Sequence, residues 1–229
     1  MGCFQAPEFS EIPKIKFHSL IYYDSITARQ DALVLKFDFE DGDGNLGLRE
    51  TETFVPYHSF DLIIDSRDSI VTYSDTEVVP PLFTVDFTGR VRPFDDVDNR
   101  PLFNNCDYHI AGDTFYISKN EFHENLHLTF EVKKNGQYSE IDFPSKFGNV
   151  DCSSINLNGR FGIFEEDNLG EPLTGTISYE MSYAINPFPI VFLRDTIRVS
   201  FYIYDRDLNK SNVVISPDFT LPSITEEIE

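Results

Sequence analysis

The chain contains one pattern associated with zinc chemistry, H-E-x-x-H, at His123, Glu124 and His127. Zinc proteases use this pattern because histidines four residues apart share one face of an α-helix. The following residues lack a helical period: apolar and polar side chains alternate over 126–132, and a KKNG turn signal comes next. On a strand the two histidines would lie about 13 Å apart, too far to share one zinc ion. The sequence therefore predicts a strand here, and a zinc hydrolase is only a remote alternative.

A second pattern, D-x-D-x-N, occurs twice and supplies oxygen atoms as candidate ligands. The segments DALVLKFDFEDGDGN (31–45) and DTIRVSFYIYDRDLN (195–209) align without a gap, and in both an alternating segment precedes the pattern. Alternate carboxylate and amide oxygens suit Ca²⁺. Turns stabilised by Asp and Asn side chains use the same residues, so calcium binding and a pair of structural turns both remain open. The candidate calcium ligands are Asp41, Asp43, Asn45, Asp205, Asp207 and Asn209.

The first copy is not a helix–loop–helix calcium loop. That motif requires Gly at its sixth position, where this chain has Leu46, and it follows a helix. Here the preceding segment is predicted to be a half-buried strand, because apolar residues from Leu33 to Phe39 alternate with mostly polar ones.

The alternating segments predict an all-β fold. The 22 Phe and 11 Tyr residues, in a chain without Trp, favour strands over helices. Seven strands is the number in an immunoglobulin or fibronectin type III sandwich, so we predict such a β-sandwich with a large irregular insertion. In that topology the loops after the second and sixth strands emerge at the same pole, which would bring the two D-x-D-x-N segments together. The predicted strands are 15–20, 33–40, 126–132, 137–143, 175–183, 197–204 and 213–219.

We expect one β domain with additions at both ends. Residues 1–13 are predicted to be a tether, and the sandwich domain spans 14–222. Turn-rich sequence at about 50–120 indicates an insertion between the second and third strands. Residues 223–229 are predicted to be a frayed acidic tail.

The charge of the chain restricts its partners. With 39 Asp and Glu residues against 18 Lys and Arg residues, the formal net charge is -21. A nucleic-acid backbone would be repelled, so no nucleic-acid partner is predicted. The sequence contains no G-x-S-x-G, P-loop or G-x-G-x-x-G pattern, and we predict that the protein is not an enzyme. No cofactor is required by this interpretation, and Ca²⁺ is the one candidate.

The segment MGCFQAPEFSE places Cys3 after a glycine. A Gly-Cys pair is typical of the cleavage point of a bacterial lipoprotein, where the cysteine becomes the acylated first residue. N-myristoylation is a rival interpretation, but that motif requires Ser or Thr at the sixth position and this chain has Ala6. An ordinary cysteine is the third alternative. Cys106 and Cys152 are candidates for one disulfide in an exported chain, although their spacing does not decide it.

The chain resembles a family of uncharacterised Bacteroidetes outer-envelope lipoproteins with an immunoglobulin-like fold. This resemblance implies acylation at Cys3 after removal of a signal peptide, anchoring to a membrane, and a location in the outer membrane on its periplasmic or cell-surface face. It implies no activity. The segments that carry the resemblance are PEFSEIPKIKF, DALVLKFDFEDGDGNLGL, LTFEVKKNGQYSEIDFP, LTGTISYEMSY and DTIRVSFYIYDRDLNKSNVVISP.

Two functions follow from these observations as hypotheses. The first is a non-catalytic, lipid-anchored lipoprotein that acts as an accessory or interaction subunit of an outer-membrane complex. The alternative is a carbohydrate- or ligand-binding module that uses aromatic side chains of the insertion, which requires these rings to be exposed. The candidate aromatic residues are Tyr57, Phe60, Tyr73 and Phe94.

Overall fold

A computed structural model describes most of the chain. Three residues with predicted roles, Cys3, Cys106 and Cys152, lie outside the described residues, so the predicted lipidation and disulfide stay predictions. The described residues are 9–25, 31–94, 109–110, 113–141, 143, 157–163, 170–182, 186–192 and 194–228.

Nearly all regular structure in the described residues is β, which confirms the all-β prediction. One short α-helix, α1 (Phe188–Phe192), is present among them. The strands in chain order are β1 (Lys14–Ser25), β2 (Ala32–Asp41), β3 (Phe60–Ile64), β4 (Phe83–Val85), β5 (Val91–Pro93), β6 (His109–Ile110), β7 (Asp113–Thr114), β8 (Ile117–Lys119), β9 (Leu126–Lys134), β10 (Gln137–Glu140), β11 (Leu173–Ser182), β12 (Ile197–Ile203), β13 (Val214–Ile215) and β14 (Thr225–Ile228).

The chain divides into two compact units. The first unit comprises residues 1–49, 125–146 and 155–229, and the second comprises 50–124 with 147–154. The second unit covers the segment that the sequence marks as an insertion, and it has a β-sheet of its own.

The first unit contains two four-stranded sheets. Their strand orders are β11-β2-β1-β14 and β10-β9-β12-β13. Strand β2 is central in its sheet and pairs antiparallel with both β1 and β11. Strand β12 has the corresponding place in the other sheet, between β9 and β13. The predicted first, second and fifth strands therefore share one sheet, and the third, fourth, sixth and seventh share the other.

The core of the first unit lies between these sheets and follows directly from alternation in the sequence. Side chains two residues apart on a strand face the same way. The rings of Phe37 on β2 and Phe201 on β12 lie 5.4 Å apart between their centroids, so the two inward faces pack against each other as a β-sandwich. The buried inward rows are Leu33, Leu35, Phe37 and Phe39 on β2, and Ile197, Val199, Phe201 and Ile203 on β12.

The prediction of a frayed tail at 223–229 was wrong. A 3-10 turn at Leu221–Ser223 buries Leu221 and redirects the chain along the edge of β1. Residues Thr225–Ile228 then pair with β1 in parallel, Thr225 opposite Tyr22. The acidic side chains of Glu226 and Glu227 remain exposed, so they stay hydrated while the backbone of the segment forms sheet hydrogen bonds.

The second unit contains the sheet β5-β4-β3-β8 and the two-stranded sheet β6-β7. Its strands are two to five residues long, and a small apolar cluster packs beside them. The buried members of this cluster are Ile63, Val71, Leu82 and Tyr116, with Tyr73, Val78 and Phe94 packed against them.

Asp65 organises the turn that follows β3. Its carboxylate accepts hydrogen bonds from the guanidinium of Arg67 at 2.7 Å and from the backbone N–H groups of Arg67 and Ser69. These donors favour the ionised carboxylate, and the pair with Arg67 contributes most. The pKa of Asp65 is lowered from 3.8 to about 2.

We expect Phe201→Ala to destabilise the first unit by about 3–5 kcal/mol, because it leaves a cavity at the contact between the sheets. Phe54→Ala is the control, because Phe54 is 66% exposed and its replacement should change stability by less than about 0.5 kcal/mol. Urea unfolding measures both. Equal losses for the two variants would contradict the assigned core.

We expect Asp65→Asn to lower the urea midpoint of the second unit at pH 7. A lowered native pKa means that the ionised group stabilises the fold above about pH 4. The difference from the wild type should therefore shrink as the pH falls from about 4 to about 2. Asp68→Asn, an exposed position in the same turn, should change little at any pH. A difference that stayed constant down to pH 2 would disprove the role of the Asp65 charge.

Candidate functional site

The two D-x-D-x-N segments meet at one end of the first unit, which we call the acidic pole: residues 41–45 and 205–209. Asp41 occupies the inward position that follows Phe39, and Asp205 occupies the one that follows Ile203. Asp41 is 0% exposed and Asp205 is 2% exposed. Each carboxylate thus continues a row of apolar core residues, and alternation alone places it below the surface.

Hydrogen bonds join the two segments. The Asn45 side-chain nitrogen Nδ2 donates to Asp43 Oδ2 at 2.9 Å and to Asp207 Oδ2 at 3.1 Å. The backbone N–H of Arg206 donates to the Asn45 carbonyl oxygen at 3.2 Å. The structure therefore brings together the predicted ligands of both copies.

The second copy is a turn whose buried carboxylate has its donors within the turn. Asp205 Oδ1 accepts from the backbone N–H of Asn209 at 2.7 Å, and Asp205 Oδ2 accepts from Asn209 Nδ2 at 2.9 Å. Leu208 has a positive φ of 66°, which closes the turn. For these residues the structural-turn interpretation accounts for both carboxylate oxygens of Asp205.

The first copy differs because it leaves buried oxygens without donors. Asp41 Oδ2 accepts from the backbone N–H of Asn45 at 3.0 Å. Asp41 Oδ1, Asp43 Oδ1 and Asn45 Oδ1 are buried and have no hydrogen-bond partner among the described residues. A buried polar atom without a partner costs about 1–3 kcal/mol, so three such atoms in one loop require an explanation.

Burial and like charge both act on these carboxyls. Burial is the main cause that raises the pKa of Asp41, to about 7, and the negative charges of Asp43 and Asp205 add to it. Burial also raises the pKa of Asp205, but the hydrogen bonds from Asn209 oppose that shift. The acidic pole therefore concentrates negative charge in a site that disfavours it.

The end of the predicted tether lies against this loop. The backbone N–H of Gly42 donates to the carbonyl oxygen of Ser10 at 2.8 Å. A side chain at Gly42 would place its Cβ 2.5 Å from the carbonyl oxygen of Phe9, so only glycine permits this approach.

A second close approach of two backbone segments, at Gly47, restricts the conformation at the end of this loop. Gly47 has a positive φ of 95°, and a Cβ there would lie 2.3 Å from the carbonyl oxygen of Gly162. The backbone N–H of Leu48 donates to the Phe161 carbonyl oxygen at 3.0 Å beside it.

The H-E-x-x-H stretch does not form the helix that a zinc site needs. His123 ends a three-residue 3-10 turn, where its Nδ1 lies 2.9 Å from the Tyr57 carbonyl oxygen. His127 lies on β9 and stacks on the Tyr202 ring with 4.7 Å between centroids. Among the residues described, no three His, Cys, Asp or Glu side chains form a group that could hold a metal ion.

The aromatic residues proposed for ligand binding do not form an exposed platform. Tyr57 is buried, and Tyr73 and Phe94 pack against the apolar cluster of the second unit. Phe60 is half-buried, and its ring centroid lies 5.5 Å from that of Phe87. Among the described residues of the second unit, the exposed rings are instead Phe54 and Phe87. Three of the four candidate residues therefore do not support the ligand-binding alternative, which stays a prediction.

The second unit contains a buried charge network that none of the residues predicted from the sequence belongs to. Asp61 accepts from Arg92 and lies 2.6 Å from His58 Nε2, and both Asp61 and His58 are buried. Asn120 Nδ2 donates to the carbonyl oxygens of Pro56 and His58 and fixes the histidine segment. The spacing H-x-x-D was the one available signal. The network neutralises Asp61 and ties β3 to β5.

No family model matches the chain, and searches of curated proteins and of solved structures found no match. Within the described residues no helix is long and apolar enough to cross a membrane. The chemical role of the acidic pole is therefore inferred from its geometry alone.

We expect Gly47→Ala to destabilise the first unit by about 1–3 kcal/mol more than Gly136→Ala. Both glycines have positive φ, so both variants incur a similar conformational strain of about 1–2 kcal/mol. A Cβ at Gly136 meets nothing within 4 Å, whereas one at Gly47 meets the Gly162 backbone. Urea unfolding compares them, and equal effects would contradict the close approach.

Proposed function

We propose that the protein is a non-catalytic, lipid-anchored lipoprotein of the outer membrane whose sandwich acts as an interaction subunit. The strand orders of the first unit support an immunoglobulin-like type, because they group the strands as that fold does. The interaction role is inferred from the edge strand β13.

Strand β13 ends its sheet and presents apolar side chains to solvent. Val213 is 56% exposed and Ile215 is 52% exposed, and they are two residues apart on the same side of the segment. Val214 and Ile215 pair with β12, and Phe219 forms an isolated bridge to Ile197 further along. A sheet edge with exposed apolar side chains favours association with another protein chain.

The anchor is supported by the position of Ser10. Six residues separate Cys3 from Ser10, and the seven Cα–Cα steps from one to the other span at most about 25 Å. Because Ser10 is hydrogen-bonded to Gly42, an acyl chain on Cys3 would hold the first unit close to the membrane surface. A short tether of this kind suits a subunit that acts on a partner in the same membrane.

The test separates anchoring from partner binding in the acylated protein, expressed with a lipoprotein signal. We expect Cys3→Ser to move the protein from the membrane fraction to the soluble fraction, with loss of the lipid mass on the N-terminal peptide. Cys106→Ser is the matched control and should stay in the membrane fraction.

The double variant Val213→Lys and Ile215→Lys should stay in the membrane but lose the proteins that cross-link to the wild type, because charge on an edge strand opposes association. Ile190→Lys is the control, since Ile190 is 60% exposed in α1. The proposal fails if Cys3 carries no lipid, or if the double variant retains every cross-linked protein.

A further inference from the structure

We propose that the first loop of the acidic pole binds one Ca²⁺ ion through Asp41 Oδ1, Asp43 Oδ1 and Asn45 Oδ1. These three oxygens come from alternate residues of one short loop. All three are buried, and the part of the chain that the structure describes gives them no hydrogen-bond partner. The cation would provide the partner that each of them lacks.

The burial of Asp41 and the missing donor to one of its oxygens indicate a ligand. It is 0% exposed, and one of its two oxygens receives no N–H or O–H group. Asp205 has the same inward position at the end of β12, and there both oxygens accept hydrogen bonds from Asn209. The fold can therefore supply donors to both oxygens of a carboxylate at this position, but among the described residues it does so only in the second copy, since Asp41 has a donor for Oδ2 alone.

The orientation of Asn45 supports the same conclusion. Its Nδ2 has two carboxylate acceptors, Asp43 Oδ2 and Asp207 Oδ2. Carboxylates accept hydrogen bonds and do not donate them, so nitrogen must face these two groups. The amide oxygen is consequently turned away from both, toward a position where the described residues offer no donor.

The donor set selects a hard cation. Two carboxylates and one amide oxygen match the ligands of Ca²⁺, which takes six to eight oxygens in flexible geometry. Two carboxylates also balance the charge of one divalent ion. Zinc prefers nitrogen and sulfur ligands, and Mg²⁺ requires a stricter octahedral arrangement. Because only three side-chain oxygens are available, water molecules must complete the coordination.

A shared proton is the competing explanation. The Asp41 and Asp43 carboxyls lie within hydrogen-bonding reach of each other, so a single proton between them would also relieve their repulsion. Binding experiments separate the two explanations, because a shared proton gives no response to calcium at constant pH.

The experiment measures Ca²⁺ binding to the whole protein after treatment with EDTA and dialysis. Calorimetry should give one site with a dissociation constant of about 1 mM or lower. At fifty times the dissociation constant, Ca²⁺ should raise the melting temperature by about 5 °C. Mg²⁺ at the same concentration should raise it by less than half as much.

Variants locate the ion. Asp41→Asn should abolish the calcium-dependent shift, and Asp43→Asn, at a half-buried position, should weaken binding at least tenfold even if the first variant folds poorly. Asp24→Asn is the matched control, because it removes the same charge from an exposed position of the first unit and should bind as the wild type does. The proposal is overturned by no response up to 10 mM Ca²⁺, by an equal response to Mg²⁺, or by unchanged binding in Asp43→Asn.

Discussion

The first unit depends on alternation along two strands, β2 and β12. Each strand places an unbroken row of apolar side chains in the interior, and the contact between Phe37 and Phe201 joins the rows. The same period then carries each row one step further, to Asp41 and Asp205. The core and the acidic pole therefore have a common origin, since a shift of one residue on either strand would expose the core and release the carboxylate together.

Much of this arrangement could be predicted from the sequence, because period-2 patterns report burial directly. The long strands of the first unit were recognisable, and so was the meeting of the two acidic segments. The burial of Asp41 could also be predicted, because Asp41 is the next odd-numbered residue after Phe39. The difference in hydrogen bonding between the two copies could not be predicted. It arises because Asn209 donates to Asp205 within its own turn, whereas Asn45 donates to Asp207 of the other segment.

Other elements could not be predicted for identifiable reasons. The strands of the second unit are too short to show a period, so their pairing depends on the surrounding fold. Strand β14 has the composition of a solvated tail, and it forms because β1 offers an unpaired edge after the buried Leu221. Strand β14 is held by backbone hydrogen bonds to β1, and a pattern of side chains along the sequence does not reveal such bonds.

The pairing of β14 with β1 also affects when the first unit can fold. Tyr22 lies opposite Thr225, and β11 pairs with β2 across a similarly long stretch of chain. Pairings so distant in sequence form slowly, and this sheet cannot be completed on the ribosome until residue 228 has been synthesised. The second unit draws its contacts from 50–124 and 147–154, so its residues are all available much earlier. The first unit therefore stays incompletely folded until nearly the whole chain has been synthesised.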